Sequence, residues 1–237
     1  MRALALALLA IVATSAAPPA AAQGVTTARP AAPAARPAVS TPIPAKWQAG
    51  RHYRLLNPTV PTNVAPGQVE VVEVFWYGCG ACYMLDPYLE SWKKTKPAAA
   101  ELVRLPVTWN DGAKRHAKLF YALQALKQDG RLHTKIFDTI HRGGNGLIAR
   151  DDAGTLALQR DWAKANGVDP TAFTNAWNSM SVDVKLRQAE DLVRRYRVEG
   201  TPAMIINGKY FTDVTSAGGV PQMLELINAL VASETRR

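Results

Sequence analysis

Cys79 and Cys82 are the only cysteines in the chain, and Gly80 and Ala81 stand between them. The thiolate is the attacking form of cysteine. Two thiols at this spacing can close a disulfide and so exchange two electrons with another thiol pair. Other uses of the pattern fit less well. A zinc site needs about four ligands, and no second Cys pair or nearby His follows. Covalent haem attachment needs His directly after the second Cys, and residue 83 is Tyr. A structural bridge here would close a very short loop and constrain little of the unfolded chain. The pair therefore points to redox exchange.

The flanking residues supply a frame for that chemistry. Gln68 to Tyr77 reads QVEVVEVFWY, β-branched and aromatic, which predicts a largely buried strand. The cysteines follow at once, and then YMLDPYLESWKK predicts a helix with Met84, Leu85, Tyr88, Leu89 and Trp92 on its apolar side and a kink at Pro87. A helix N-terminus carries partial positive charge and unpaired N–H groups, which favour an anion. Cys79 is thus expected to be the exposed, thiolate-rich nucleophile, and Cys82, one turn in, the shielded resolving thiol. Small Gly80 and Ala81 let a substrate backbone come close. Glu101 to Val107 predicts a second strand, which makes a βαβ unit with parallel strands.

The middle of the chain reads as helical. Leu119, Ala122, Leu123 and Leu126 form one apolar stripe, and Gly130 is expected to end that helix. Leu132 to His141, Thr155 to Ala165, a short helix opened by Asp169-Pro170, and Ser181 to Tyr196 follow. Ala203 to Ile206 predicts a strand, Asn207-Gly208 a type I′ turn, Lys209 to Thr212 the return strand, and Gln222 to Ala232 a closing helix. An α/β domain split by an α-helical insertion has this order. His52, His116, His133 and His141 all lie outside the cysteine motif and are expected at the surface or in packing.

The start of the chain reads as an address. Met1-Arg2, the apolar run Ala3 to Ala13 and Ala20-Ala21-Ala22 predict a secretory signal over residues 1–22, with an uncleaved anchor as the alternative. Residues 23–45, rich in Ala and Pro, predict an extended linker. The mature chain is then expected in an exported compartment where disulfides persist. The chain of 237 residues carries a formal charge of +9, from 28 Lys and Arg against 19 Asp and Glu. Residues 1–45 hold three of those cations (Arg2, Arg29, Arg36) and no acid, which leaves +6 on the remainder. No nucleic-acid recognition pattern accompanies the charge, so a basic soluble surface is the reading. Two cysteines exclude a disulfide-dense scaffold, and the aromatic content excludes wholesale disorder.

Three stretches, EVFWYGCGACYMLDPYLESW, AFTNAWNSMSVDVKLRQAEDLVRRYRVEG and TPAMIINGKY, resemble the DsbA-type thiol:disulfide oxidoreductases of the bacterial periplasm, within the thioredoxin superfamily. The resemblance covers about Lys46 to Arg237. It implies an α/β thioredoxin fold with an inserted helical domain: residues 46–109 and 186–237 form the thioredoxin-like part and 110–185 the insertion. It also implies a cis Thr201-Pro202 bond beside the cysteines, with Thr201 pairing its backbone to substrate. Glu73, six residues before Cys79, would sit beneath the disulfide and handle protons, with Arg104 as its partner; a plain structural ion pair is the alternative. No cofactor beyond the Cys79–Cys82 disulfide is implied. The partners implied are newly exported proteins with free cysteines and a DsbB-type membrane oxidase, with the protein acting as a monomer.

Strongly oxidising members carry Pro-His between the cysteines, whereas Gly80-Ala81 stands here. This keeps a reductive role open, while the monomeric DsbA-like architecture argues against a dimeric isomerase. A further alternative is a thioredoxin-like holdase using a Trp76, Tyr77 and Tyr83 surface.

Overall fold

A computed structural model of the chain describes residues 41–235. The expected signal segment 1–22 and residues 23–40 of the expected linker lie outside the described residues.

The central strand is β2 (Val69–Phe75), and all seven of its residues are buried. A strand covered on both faces needs apolar side chains on both, which is why it reads as a nearly continuous hydrophobic run. Helix α1 (Gly80–Thr95) crosses over to β3 (Ala100–Pro106), and the two strands pair in parallel with Glu73 opposite Arg104. Five helices follow: α2 (Asp111–Ala125), α3 (Asp129–His141), α4 (Asp152–Ala165), α5 (Pro170–Trp177) and α6 (Met180–Arg195). The chain then returns through β4 (Ala203–Ile206), β5 (Tyr210–Thr212), the short α7 (Val214–Ala217) and α8 (Val220–Glu234). A two-residue strand before all of these, β1 (Arg54–Leu55), completes a sheet of order β1-β5-β4-β2-β3. This is the α/β thioredoxin-type architecture with helices between its two halves that the sequence implied.

The alternation of β2 divides the core. Val69 and Val71 face α1 and α8, packing with Leu85, Leu89, Trp92, Leu226 and Ile227. Val72 and Val74 face the other way, into a core shared with α2, α3, α5 and α6. Glu73, in phase with Val71, lies on the α1 side.

Local chemistry explains where the helices start and stop. Asn110, Asp151, Asp169 and Ser179 cap α2, α4, α5 and α6 with side-chain oxygens that accept a backbone N–H. Asn207 and Gly208 both have positive φ, 52° and 60°, as a type I′ turn requires.

Several expectations are corrected. Gly130 does not end α2; it lies in the first turn of α3, and the chain reverses at Lys127, which takes φ 56°. The helix through Pro87 is continuous from Gly80 to Thr95. Met84 and Tyr88 are not on the buried side of α1 but are 67% and 52% exposed, because only Leu85, Leu89 and Trp92 of that apolar set reach the sheet. Tyr77 is buried, so it cannot form part of an exposed holdase surface.

Candidate active site

Cys79 is the N-cap of α1. The turn that delivers it from β2 is held by Cys79 N–H donating to Trp76 O at 2.9 Å. Gly78 leaves room for the Trp76 ring, from which an added Cβ would lie only 2.5 Å, so a larger residue would displace that ring. From the helical block, His141 Nε2 donates to Tyr77 O at 2.8 Å, and its ring stacks on Tyr83 with centroids 4.8 Å apart.

The two sulfurs differ sharply in environment. Cys79 is part-exposed and Cys82 fully buried, and neither is in a disulfide. As a thiol, Cys79 Sγ–H donates to Thr201 O at 3.3 Å; the same sulfur accepts from Cys82 N–H at 3.4 Å. The Cys82 thiol, the Thr201 side chain and the backbone N–H groups of Cys82 and Ala81 together pull the Cys79 thiol down to about 5, against the opposing effect of burial. The Cys82 thiol thus adds to the helix N-terminal N–H groups that the sequence pointed to. Its hydrogen bond to Cys79, with burial, pushes the Cys82 thiol far above the usual range.

Thr201 and Pro202 join α6 to β4 through a cis peptide bond, as the resemblance implied. With Ala81, Met84, Tyr88 and Phe211 they line a groove of about 990 Å³ that runs past the cysteines' helix. Gly80 is exposed at the rim, and a Cβ there would meet nothing within 4 Å.

Beneath lies a charged layer. Glu73 is fully buried, and Arg104 Nε donates to its Oε2 at 3.1 Å. Arg104 also reaches Asp86 at 3.4 Å and Glu90 at 2.6 Å, both on α1. Residues 82, 86 and 90 repeat every fourth position, so the acids share a helix face with the buried thiol. Burial pushes the Glu73 carboxyl up to about 7; Arg104 opposes this and Asp86 adds to it. Sequence reasoning found Glu73 and Arg104 and missed Asp86 and Glu90. The four-residue repeat starting at Cys82 was the available signal.

The comparisons with known proteins agree with this geometry. A family model described as a DSBA-like thioredoxin domain matches residues 95–227. The thiol:disulfide interchange protein DsbA of Pseudomonas syringae pv. tomato is 33% identical over 79% of this chain and 84% of its own length. That of Azotobacter vinelandii is 34% identical over 81% and 86%. This chain belongs to the DsbA family. It is a thiol:disulfide oxidoreductase, an enzyme that introduces disulfides by dithiol–disulfide exchange. Family enzymes of this kind work with a redox-active disulfide, here available only as Cys79–Cys82. Among solved structures, Pseudomonas aeruginosa DsbA superposes with a TM-score of 0.73 at 33% identity, covering 80% of this chain and 95% of that one. The Xylella fastidiosa oxidoreductase DsbA, at 24% identity and a TM-score of 0.72, supports the fold.

Proposed function

We propose that Cys79 is the nucleophile, Cys82 the resolving thiol, Glu73 with Arg104 the proton-handling pair, and Thr201, Pro202, Gly80 and Ala81 the substrate contacts. A substrate thiolate attacks Cys79 Sγ of the disulfide. The Sγ–Sγ bond breaks, and the electron pair leaves on Cys82, which takes a proton relayed from Glu73. A second substrate thiolate attacks the substrate sulfur of the mixed disulfide and expels Cys79 as thiolate. The substrate is then oxidised by two electrons and the pair reduced. A thiolate stable at neutral pH is a good leaving group, and it stabilises the reduced form, which makes the disulfide oxidising. The low-pKa Cys79 sulfur over a fully buried Cys82 carries this reading.

The substrates fitting a groove lined by Met84, Tyr88 and Phe211 are unfolded chains with free cysteines, delivered by export, and the setting is the periplasm. A DsbB-type membrane oxidase would restore the disulfide, and the protein would act as a monomer. The signal over residues 1–22, the linker over 23–45, and the division into 46–109 with 186–237 around 110–185 complete the proposal, with α6 spanning the second boundary. Equilibration of the Cys79–Cys82 pair against glutathione tests it, coupled to oxidation of a reduced, unfolded protein. A potential well above that of glutathione and loss of all oxidation in Cys79→Ser are expected. A pair more reducing than glutathione would overturn the oxidising direction.

A further inference from the structure

The charged layer holds three carboxyls, Glu73, Asp86 and Glu90, against Arg104, with Lys93 reaching Glu90 alone among them. Two cations for three acids in a largely buried layer leave one carboxyl protonated near neutral pH. Hydrogen-bond donors decide which one. Glu90 accepts from Arg104 at 2.6 Å and from Lys93 at 3.1 Å, and is partly in water. Glu73 accepts from Arg104 alone, and among the described residues its Oε1 has no hydrogen-bond partner. Asp86 accepts from Arg104 at 3.4 Å and also from Thr134 Oγ1–H at 2.7 Å, a donor from α3.

A second group from α3 faces Asp86. His133 is buried; its Nδ1 lies 2.8 Å from the Tyr77 hydroxyl, and its Nε2 approaches Asp86 Oδ1 to 3.5 Å without making a hydrogen bond. Burial, with Arg104 and Lys93 nearby, holds the ring neutral, so it carries one N–H. With that proton on Nδ1, the Nε2 lone pair would face a carboxylate oxygen. With it on Nε2, Tyr77 O–H donates to Nδ1 and the N–H edge, rather than a lone pair, lies beside Asp86. Only the second arrangement makes both contacts favourable. The charged groups around Glu73 are then Arg104 from β3 and Asp86, Glu90 and Lys93 from α1, with His133 of α3 and Tyr77 of the β2–α1 turn behind Asp86; β4 presents Met204 opposite Glu73.

We infer that α3 decides which acid of the layer is protonated: Thr134 supplies Asp86 with a hydrogen-bond donor and His133 sets its N–H edge beside it, which keeps Asp86 ionised and leaves the proton on Glu73. His133 and Thr134 are thus positioning residues. A helix of the inserted block would set the protonation of an acid in the thioredoxin-like part, without touching either sulfur. The kinetic consequence rests on the reading of Glu73 as the proton donor to Cys82; the allocation itself does not.

Carboxyl 13C NMR of the full chain labelled at Glu and Asp side chains reads the allocation directly. In the unchanged protein Glu73 should titrate near neutral pH, and Asp86, which burial also pushes up while Thr134 and Arg104 oppose it, should titrate below Glu73. Thr134→Val removes one donor at constant shape and should raise the Asp86 midpoint and lower the Glu73 midpoint, each by about one pH unit. Thr134→Ser should restore both. His133→Phe should shift them in the same direction, and because that site is buried, the Thr134 pair keeps the test decisive if this variant fails to fold. The pH profile of mixed-disulfide resolution should follow the Glu73 midpoint, while the Cys79 thiolate absorbance midpoint stays put. Unchanged Glu73 and Asp86 midpoints in folded Thr134→Val would overturn the inference. Midpoints that move while the resolution profile does not would uphold it and overturn the proton-donor role of Glu73.

Discussion

Cys79 and Glu73 are both displaced acids, and they are displaced in opposite directions by different means. At the surface, Cys79 is surrounded by donors, and its anion is favoured despite partial burial. In the layer below, Glu73 has one guanidinium and no exposure to solvent, and its carboxyl is pushed up to about 7 despite that guanidinium. Donor count wins over desolvation in the first region and loses in the second. Exchange uses both outcomes: a sulfur that leaves readily, and beneath it an acid that still holds a proton at neutral pH.

The contrast between the two sulfurs gives the largest expected effect. At pH 6 Cys79 should be mostly thiolate and Cys82 almost wholly thiol. Iodoacetamide added to the reduced protein should label Cys79 faster by several orders of magnitude, since only the thiolate reacts. Peptide mapping checks this. Comparable labelling of Cys82 would erase the division of roles between the sulfurs.

Glu73 should leave a mark on stability whose sign follows from its shift. Its folded carboxyl holds a proton up to about 7, whereas the unfolded one releases it near 4.5. Between those values the unfolded chain binds fewer protons, so stability falls as pH rises. Glu73→Gln removes that slope and keeps an acceptor for Arg104, which retains Asp86 and Glu90. Urea unfolding of the oxidised protein should show the variant more stable by about 1–3 kcal/mol at pH 8, with little difference at pH 4.5. A variant less stable at pH 8 would mean that Glu73 is an ionised structural partner of Arg104.

How much of this was legible beforehand differs between the two regions for a physical reason. The surface site is local in sequence. Strand, turn, cysteine and helix start lie within a dozen residues, and the period-2 and capping rules act over that range. The charged layer is assembled from β2, β3, α1 and α3, so its donors are distant in sequence. Glu73 stood out as a carboxylate in an apolar strand, and the family resemblance supplied its role and Arg104 as its partner on the next strand. Asp86 had only its four-residue spacing from Cys82 as a signal, in a helix that read as apolar, and Thr134 and His133 had none, because their role exists only once α3 packs against α1. Met84 and Tyr88 misled for the complementary reason: an apolar residue that lines a groove looks, in sequence, like one that fills a core. β1 and α7 were missed because two and four residues are too short for any periodicity.

The surface region can be sharpened by restoring what Gly80-Ala81 lacks. Gly80 is the first residue of α1 and has free space around it, so Pro fits there by the N1 rule. His at position 81 adds a donor and positive charge near the Cys79 sulfur. Gly80→Pro with Ala81→His should lower the Cys79 thiol by about one unit and raise the potential by about 30 mV. The thiolate absorbance and glutathione equilibration read the two quantities independently. If neither moves, the donors already around Cys79 saturate its tuning, and the surface site is set by Cys82 and Thr201 rather than by the intervening pair.

The smallest effect tests whether the layer is one unit or two. Glu90 shares Arg104 with Glu73 but stands partly in water. Burial pushes its carboxyl up, yet the Arg104 hydrogen bond and charge, with those of Lys93, carry it below its usual range. A depressed folded value contributes stability that is present above the unfolded pKa and lost as pH falls through the folded one. Glu90→Gln should therefore cost stability near pH 7, by less than about 1 kcal/mol because water and salt screen the pair. The cost should fade below pH 4 and shrink in high salt. Glu73→Gln would stabilise at high pH while Glu90→Gln destabilises there, two opposite slopes from carboxyls on one guanidinium. Slopes of the same sign would show that exposure does not separate these two acids, and the contrast between a wet, donor-rich rim and a dry, donor-poor floor would fail at its boundary.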